Sequence, residues 1–174
     1  MLGEKGAVWL GLLYTVGFSF LYSLTSLLLY WRGNLPSGVL LPIPPDHWYF
    51  YQAIYTIPVG FASIALLAVI AHVIARRLGG SGRWQDSWML LSLASTLPWF
   101  FFTWLPETTF FLIGKPFPWG GTIELLRQIV PALWQIILGV VLLQTAQKIA
   151  WWKSLVCVFV GTIPFVVLFT LFIR

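Results

Sequence analysis

Five long runs of apolar residues constrain this chain more than any other feature. A helix needs about 20 apolar residues to cross the hydrocarbon core of a bilayer, and unpaired backbone groups cannot face lipid. Each run should therefore be one continuous helix. The predicted helices span residues 7–31, 51–75, 87–105, 122–147 and 152–173. We expect an all-α integral membrane fold: a single transmembrane domain over residues 1–174, a bundle of five helices with outer loops that lie on the membrane.

Composition indicates that lipid is the solvent of this chain. Apolar residues make up 59% of it and charged residues 9%, whereas a soluble domain carries roughly a quarter charged residues. The 11 Trp and 6 Tyr residues fit a membrane, because amphipathic rings collect where hydrocarbon meets headgroups. The net charge is +5, but no stripe of Lys and Arg pairs with aromatic residues on a polar face. We therefore expect no nucleic-acid partner.

The basic residues predict the orientation of the helices. Five spans place the N-terminus, the second loop and the fourth loop on one side. That side holds Lys5, Arg76, Arg77, Arg83, Lys148 and Lys153. The other side holds Arg32, Lys115 and Arg174, with Arg127 near the start of the fourth helix. Because Lys and Arg accumulate in cytoplasmic loops, we expect a cytoplasmic N-terminus and a C-terminus outside.

The first predicted helix carries a face of small residues. Gly11, Thr15, Ser19 and Ser23 follow one another at four-residue spacing, which places them on one side of the helix. Small residues let the backbone of another helix approach closely in a membrane. We expect this face to pack inside the bundle.

The fourth predicted helix carries polar residues at membrane depth. Glu124, Gln128 and Gln135 fall on one face, and Arg127 lies beside it. Such side chains usually face the bundle interior or a water-filled cavity. Two interpretations stay open. In one, Glu124 and Arg127 pair at headgroup level and the glutamines bind neighbouring helices; in the other, the face lines a cavity open to the outside.

Two outer loops rich in proline and aromatic residues flank this helix in the predicted topology. They cover residues 32–51 and 106–121, and together they are expected to cap one vestibule. The candidate polar cavity beneath them comprises Glu124, Arg127, Gln128, Gln135, Asp46, His47 and Glu107. Asp46 and His47 lack an accompanying nucleophile signature, and the sequence holds no zinc-type ligand cluster. We expect no catalytic residue, metal or cofactor.

The second loop contains four residues, 79–82, of sequence Gly-Gly-Ser-Gly between arginines. The spacing is not that of a phosphate-binding P-loop. Gly79 is suited to the end of the second helix. The arginines form a candidate contact for anionic lipid headgroups: Arg76, Arg77 and Arg83. One turn before Arg76, His72 is expected to be a packed or interfacial histidine that hydrogen-bonds a neighbour.

The middle of the chain resembles a known family. A proline-and-aromatic loop leads into Tyr51-Gln52-Ala53, and the next helix ends in the run His-Val-Ile-Ala-Arg-Arg-Leu-Gly-Gly-Ser-Gly at residues 72–82. Then follow Trp84, Asp86, Ser87, Pro98-Trp99 and Leu105-Pro106-Glu107. Over residues 48–107 the chain is similar to short prokaryotic members of the Yip-domain family, relatives of the Rab/Ypt-interacting proteins.

This resemblance implies five transmembrane helices, a cytosolic N-terminus and an extracytosolic C-terminus, in the cell membrane of a prokaryote. It implies no reaction and no catalytic residues. Eukaryotic members carry a long cytosolic N-terminal region, which is only about six residues here. Rab binding is therefore not carried over to this chain.

The leading expectation for function is a non-enzymatic role in membrane organisation through lipid or partner-protein binding. Membrane lipids are the expected partners, and a homo-oligomer or a membrane-protein partner stays open. The first alternative is a small oligomeric transporter or channel with a polar path along the fourth helix. The second is a membrane-embedded enzyme acting on a lipid-like substrate.

Overall fold

The computed structural model of the chain describes residues 4–36, 41–114 and 121–172. This part of the chain is helical throughout, apart from short turns. Its elements are α1 (Glu4–Trp31), a 3-10 turn (Pro45–His47), α2 (Trp48–Arg77), α3 (Trp84–Trp99), a π-helical turn (Phe100–Trp104), α4 (Leu105–Leu112), α5 (Gly121–Gln147) and α6 (Trp151–Phe172).

The helices form five segments that are long and apolar enough to cross a membrane, as the sequence predicted. The third segment differs from its predicted extent. It joins α3, the π-helical turn and α4 into Trp84–Leu112, whereas the predicted helix ended at Leu105. Pro106 does not end it, because this residue lies just after the π-helical turn, where the regular i→i−4 hydrogen bonding is already interrupted.

The five segments pack as a closed ring. Helix α1 packs against α2, α2 against α6, α6 against α5, α5 against α3, and α3 against α1. One end of this ring, the basic end, carries Lys5, Arg76, Arg77, Arg83, Lys148 and Lys153. The opposite end, the proline end, carries Pro42, Pro44 and Pro45 before α2.

The small-residue face of α1 lies inside the ring. Gly11, Thr15, Ser19 and Ser23 are all buried. A Cβ atom at Gly11 would lie 2.2 Å from Nε1 of Trp88 on α3. On the other side, the Ser23 hydroxyl donates to the Ala53 carbonyl of α2 at 2.5 Å. Small side chains at these positions therefore let both neighbours pack closely against α1.

The interior of the ring changes character between its two ends. In the half nearer the basic end, the packed side chains are mainly apolar and include Leu67, Leu91, Leu143 and Val158. In the half nearer the proline end, the buried side chains include Gln52, Thr103 and Glu107. We call these the basic half and the proline half. The outer surface is rich in exposed large hydrophobic residues, whereas many polar side chains of the long helices are buried inside the ring.

Candidate functional site

A buried ion pair joins α4 to α5 in the proline half. Nη1 of Arg127 lies 3.6 Å from Oε2 of Glu107, and each side chain is 11% exposed. Ionised side chains at membrane depth are costly and usually pair with one another. The opposite charges compensate each other here, where solvent reaches neither of them freely.

Two further helical segments contribute to this pair. Tyr22 of α1 is buried, interacts electrostatically with Glu107 and shares a side-chain hydrogen bond with Arg127. Thr103 of the π-helical turn donates its hydroxyl to the Arg127 carbonyl at 3.4 Å. We call Tyr22, Thr103, Glu107 and Arg127 the proline-half cluster. It ties three of the five membrane-spanning segments together.

The π-helical turn determines the direction of Glu107. Successive residues of an α-helix are rotated by about 100°, so a straight helix would place Glu107 about 120° from Ser95, twelve positions earlier. A π-turn bonds residue i to i+5 and takes up one more residue than an α-turn. The additional residue brings Glu107 to within about 20° of Ser95. Both side chains are accordingly buried.

Gln135 lies nearer the middle of the ring and links α5 to α3. Its Oε1 accepts from Nε1 of Trp99 at 2.7 Å, and its Nε2 donates to the Ser95 hydroxyl at 3.5 Å. An adjacent cavity of about 20 Å³ is lined by Trp99, Ser95, Ser19 and Thr56, among others. That volume is enough for about one water molecule. The Gln135 amide therefore holds two helices together at this level.

The remaining predicted members of the polar cavity lie elsewhere. At the proline end, Nε2 of His47 lies 3.6 Å from Oδ2 of Asp46, and the two side chains are 53% and 68% exposed. Gln128 is exposed on α5. The side chain of Glu124 lies outside the described residues, as does the loop segment 115–120. The structure thus brings together Glu107 and Arg127 from the predicted set.

Sequence reasoning placed the polar face on the fourth span and missed the one on the third. Ser87, Ser95, Thr103 and Glu107 are all buried on the third span. Thr103 and Glu107 are four residues apart and share a helix face, which is a signal that the sequence carries. Their alignment with Ser95 depends on the π-helical turn, since eight residues of a straight α-helix rotate the side chain by about 80°. Tyr22 was also missed, since an aromatic residue within an apolar run usually indicates a packing residue.

At the basic end, one arginine contacts both of the nearby acidic residues. Arg83 donates two hydrogen bonds to Asp86, at 3.0 and 2.9 Å, and lies 3.8 Å from Glu4. The hydrogen bonds that Asp86 accepts, together with its negative charge, raise the pKa of Arg83 above its ordinary value. In the described part of the chain, the other cations of this end make no ion pair with a carboxylate: Lys5, Arg76, Arg77, Lys148 and Lys153.

The glycine-rich turn at residues 79–82 closes α2 and packs against the end of α5. Gly79 has φ +94°, and the N–H groups of Gly79 and Gly80 donate to the carbonyls of Arg76 and Ala75. This is the hydrogen-bond pattern of a Schellman motif. The Ser81 N–H donates to the Gln147 carbonyl at 3.0 Å. The turn thereby fixes the end of α2 beside the end of α5.

Comparison of the chain with family models, with curated proteins and with solved structures found no match. The geometry of the chain itself therefore carries the argument for function. That geometry offers two features: a self-compensated polar cluster in the proline half, and a group of cations without carboxylate partners at the basic end.

Proposed function

We propose that this chain is a multi-pass membrane protein of Yip-domain type with a non-enzymatic role in membrane organisation, which it performs by binding anionic lipid headgroups at its basic end. The observation that carries the proposal is the distribution of charge at that end. Arg83 contacts both Glu4 and Asp86, so no carboxylate of the described residues compensates the charge of the other cations there, and an external anion can do so.

The positions of these cations suit a membrane surface. Arg76 and Arg77 lie in the last turn of α2, and Lys148 and Lys153 lie around the connection from α5 to α6. The turn at residues 79–82 joins these two helix ends. Nζ of Lys153 donates to the Leu78 carbonyl at 2.9 Å, which holds this lysine beside α2. Each cation near an anionic surface contributes about 1 kcal/mol of attraction.

The proposed orientation follows from the same charges. The basic end and the N-terminus face the cytoplasm of a prokaryotic cell, where anionic lipids and the excess of Lys and Arg coincide. The proline end and the C-terminus face outside. The Yip-domain assignment is supported by the resemblance over residues 48–107, which includes the glycine-rich turn.

Lipid titration tests this proposal. The purified protein in neutral detergent is titrated with short-chain phosphatidylglycerol or phosphatidylcholine, and bound lipid is counted by native mass spectrometry. We expect preference for phosphatidylglycerol, weakened about fivefold by Arg77→Gln and more by Arg77→Gln with Lys148→Gln, since each cation contributes about 1 kcal/mol. Rising salt concentration should weaken the binding further.

Arg32→Gln provides the matched control. It removes an exposed arginine at the proline end, where the Arg32 guanidinium contacts the Phe111 carbonyl at 2.9 Å. This substitution should leave phosphatidylglycerol binding unchanged. Equal affinity for the two lipids, or an equal loss in the Arg32 and Arg77 variants, would contradict the proposal.

A further inference from the structure

A hydrogen-bonded group of two buried side chains, Ser87 and Gln147, and the partly buried His72 lies directly beneath the glycine-rich turn. Nε2 of Gln147 lies 2.9 Å from Nδ1 of His72 and 2.6 Å from the Ser87 hydroxyl. The Ser87 hydroxyl in turn lies 3.3 Å from Nδ1 of His72. The three side chains come from α2, α3 and α5, so the group joins three helices at the basic end.

The chemistry of the amide fixes the protonation of the histidine in this arrangement. An amide nitrogen is only a donor, so Nδ1 of His72 must accept the hydrogen bond from Gln147. This arrangement requires a neutral imidazole that carries its proton on Nε2. The ring also lies edge-on to Trp84, with centroids 5.4 Å apart, which holds its orientation.

The other end of the same amide faces the turn. Oε1 of Gln147 is buried and makes no hydrogen bond within the part of the chain that the structure describes. It lies 2.7 Å from the position that a Cβ atom would take on Gly80. The Gln147 backbone carbonyl meanwhile accepts from the Ser81 N–H. One residue therefore contacts His72 with its amide nitrogen and the turn with its two oxygens.

The charged groups around His72 are mainly positive. Arg76, one turn further along α2, acts on it electrostatically. On α3, Asp86 is engaged by Arg83. The ends of α5 and α6 contribute Lys148 and Lys153, and α1 contributes Glu4, which lies near Arg83.

We propose that His72 and Gln147 form a proton-dependent contact that holds the turn at residues 79–82 against α5, and that protonation of His72 loosens this turn. The inference concerns regulation of the headgroup-binding cations and in that respect rests on the proposed function. The turn connects Arg76 to the rest of the basic end, since Nη1 of Arg76 donates to the Gly80 carbonyl at 3.0 Å.

Protonation of His72 would change which of its ring nitrogens can accept a hydrogen bond from the Gln147 amide. Protonated His72 donates from both ring nitrogens, so two donors would face each other between Nδ1 and the Gln147 amide. Only Oε1 of Gln147 can accept, and presenting it requires the amide to turn over. The NH₂ group would then replace Oε1 beside Gly80, where the Cα hydrogens favour an oxygen. The packing of the turn is thereby weakened.

Nuclear magnetic resonance in nanodiscs tests the contact. The chain has 2 histidines, so ¹⁵N-histidine labelling of a His47→Asn variant isolates His72. At neutral pH we expect the proton on Nε2 and an unprotonated Nδ1. As Nδ1 takes up a proton, amide exchange at residues 79–82, corrected for its intrinsic pH dependence, should rise about tenfold, as for the loss of one buried hydrogen bond.

Two variants serve as controls for this experiment. Gln147→Leu removes the contact at every pH, so exchange at residues 79–82 should be fast and without a pH step. His72→Phe removes the titrating group and should also abolish the step. A neutral His72 with its proton on Nδ1, or constant exchange while His72 titrates, would overturn the inference. The histidine measurement needs neither control variant to fold.

These readouts involve no anionic lipid, so the two proposals fail separately. A pH step in exchange without any preference for phosphatidylglycerol would leave the proton-dependent contact and overturn the proposed function. A preference for phosphatidylglycerol without the pH step would support the proposed function and overturn the proton-dependent contact.

Discussion

Glu107 and Arg127 show how much one residue depends on its partner inside a membrane. Desolvating two charges is costly, and their attraction compensates this cost only while both are present. Removing one partner leaves an uncompensated buried charge, whereas replacing both by apolar residues removes the desolvation cost as well. The pair is therefore expected to matter more for specifying the arrangement of α4 and α5 than for net stability.

A double-mutant cycle tests this expectation. Glu107→Leu alone should lower the free energy of unfolding by about 3–5 kcal/mol, because the buried Arg127 loses the opposite charge of Glu107. Glu107→Leu combined with Arg127→Met should lose much less. The measurement is reversible unfolding in mixed micelles, with Arg32→Met as an exposed control. Additive losses in the double variant would show that the two side chains do not act as a pair.

Gly82 is a second position where the stability of the fold should depend on a single added atom. A Cβ atom there would lie 1.9 Å from the Ala146 carbonyl oxygen, so Gly82→Ala must displace backbone. We expect a loss of about 1–3 kcal/mol of unfolding free energy. Gly17→Ala is the matched control, since a Cβ atom at Gly17 would meet nothing within 4 Å. In α1 this change should be neutral or stabilising by up to about 1 kcal/mol.

The π-helical turn at Phe100–Trp104 has an effect at the scale of a whole element. Deleting Phe101, an exposed residue within it, should remove the additional residue and restore α-helical geometry, and Glu107 would stay within about 20° of Ser95. Glu107 would then still face Arg127. We expect the free energy of unfolding to change little.

A second deletion provides the comparison. Deleting Phe100 together with Phe101 shortens the straight helix by one more residue and rotates α4 by about 100°. Glu107 would then turn away from Arg127, and the free energy of unfolding should fall by at least about 3 kcal/mol. Adding Glu107→Gln to the double deletion should recover part of the loss, since a neutral amide facing lipid costs less than a carboxylate. If the two deletions are equally stable, the π-helical turn does not set the direction of Glu107.

Features of the fold that depend on composition or spacing could be predicted from the sequence, whereas those that depend on exact helix geometry could not. Lipid demands long apolar helices, so five spans could be recognised from length and composition. The face Gly11, Thr15, Ser19 and Ser23 could be recognised because spacing alone defines it. The pairing of Glu107 with Arg127 could not be predicted. It depends on one additional residue in the π-helical turn, and a hydrophobic pattern does not encode it.

Considered as a whole, the described part of the chain begins with Glu4 at the basic end and finishes with Phe172 at the proline end, after five segments long and apolar enough to cross a membrane. Residues 34 and 81 belong to opposite ends of the ring, and both are exposed. In intact cells, a membrane-impermeant maleimide should label Asn34→Cys and spare Ser81→Cys, as the distribution of Lys and Arg predicts. Cys157 is buried, so background labelling should be small.

Permeabilised cells supply the control for this experiment. Both variants should then be labelled, which shows that each cysteine is reactive. Labelling of Ser81→Cys in intact cells, with Asn34→Cys protected, would reverse the proposed orientation. Labelling of both in intact cells would mean that the chain inserts in two directions.

The unequal interior of the ring also determines where a transmembrane voltage acts. An electric field is strongest where the surroundings polarise least, and that is the basic half, where Leu67, Leu91 and Leu143 pack together. The Glu107–Arg127 pair is neutral overall, so moving it through the field does almost no electrical work. A single charge crossing 100 mV exchanges about 2.3 kcal/mol. Electrical sensitivity in this molecule therefore belongs to charges that enter the apolar layer from the basic end.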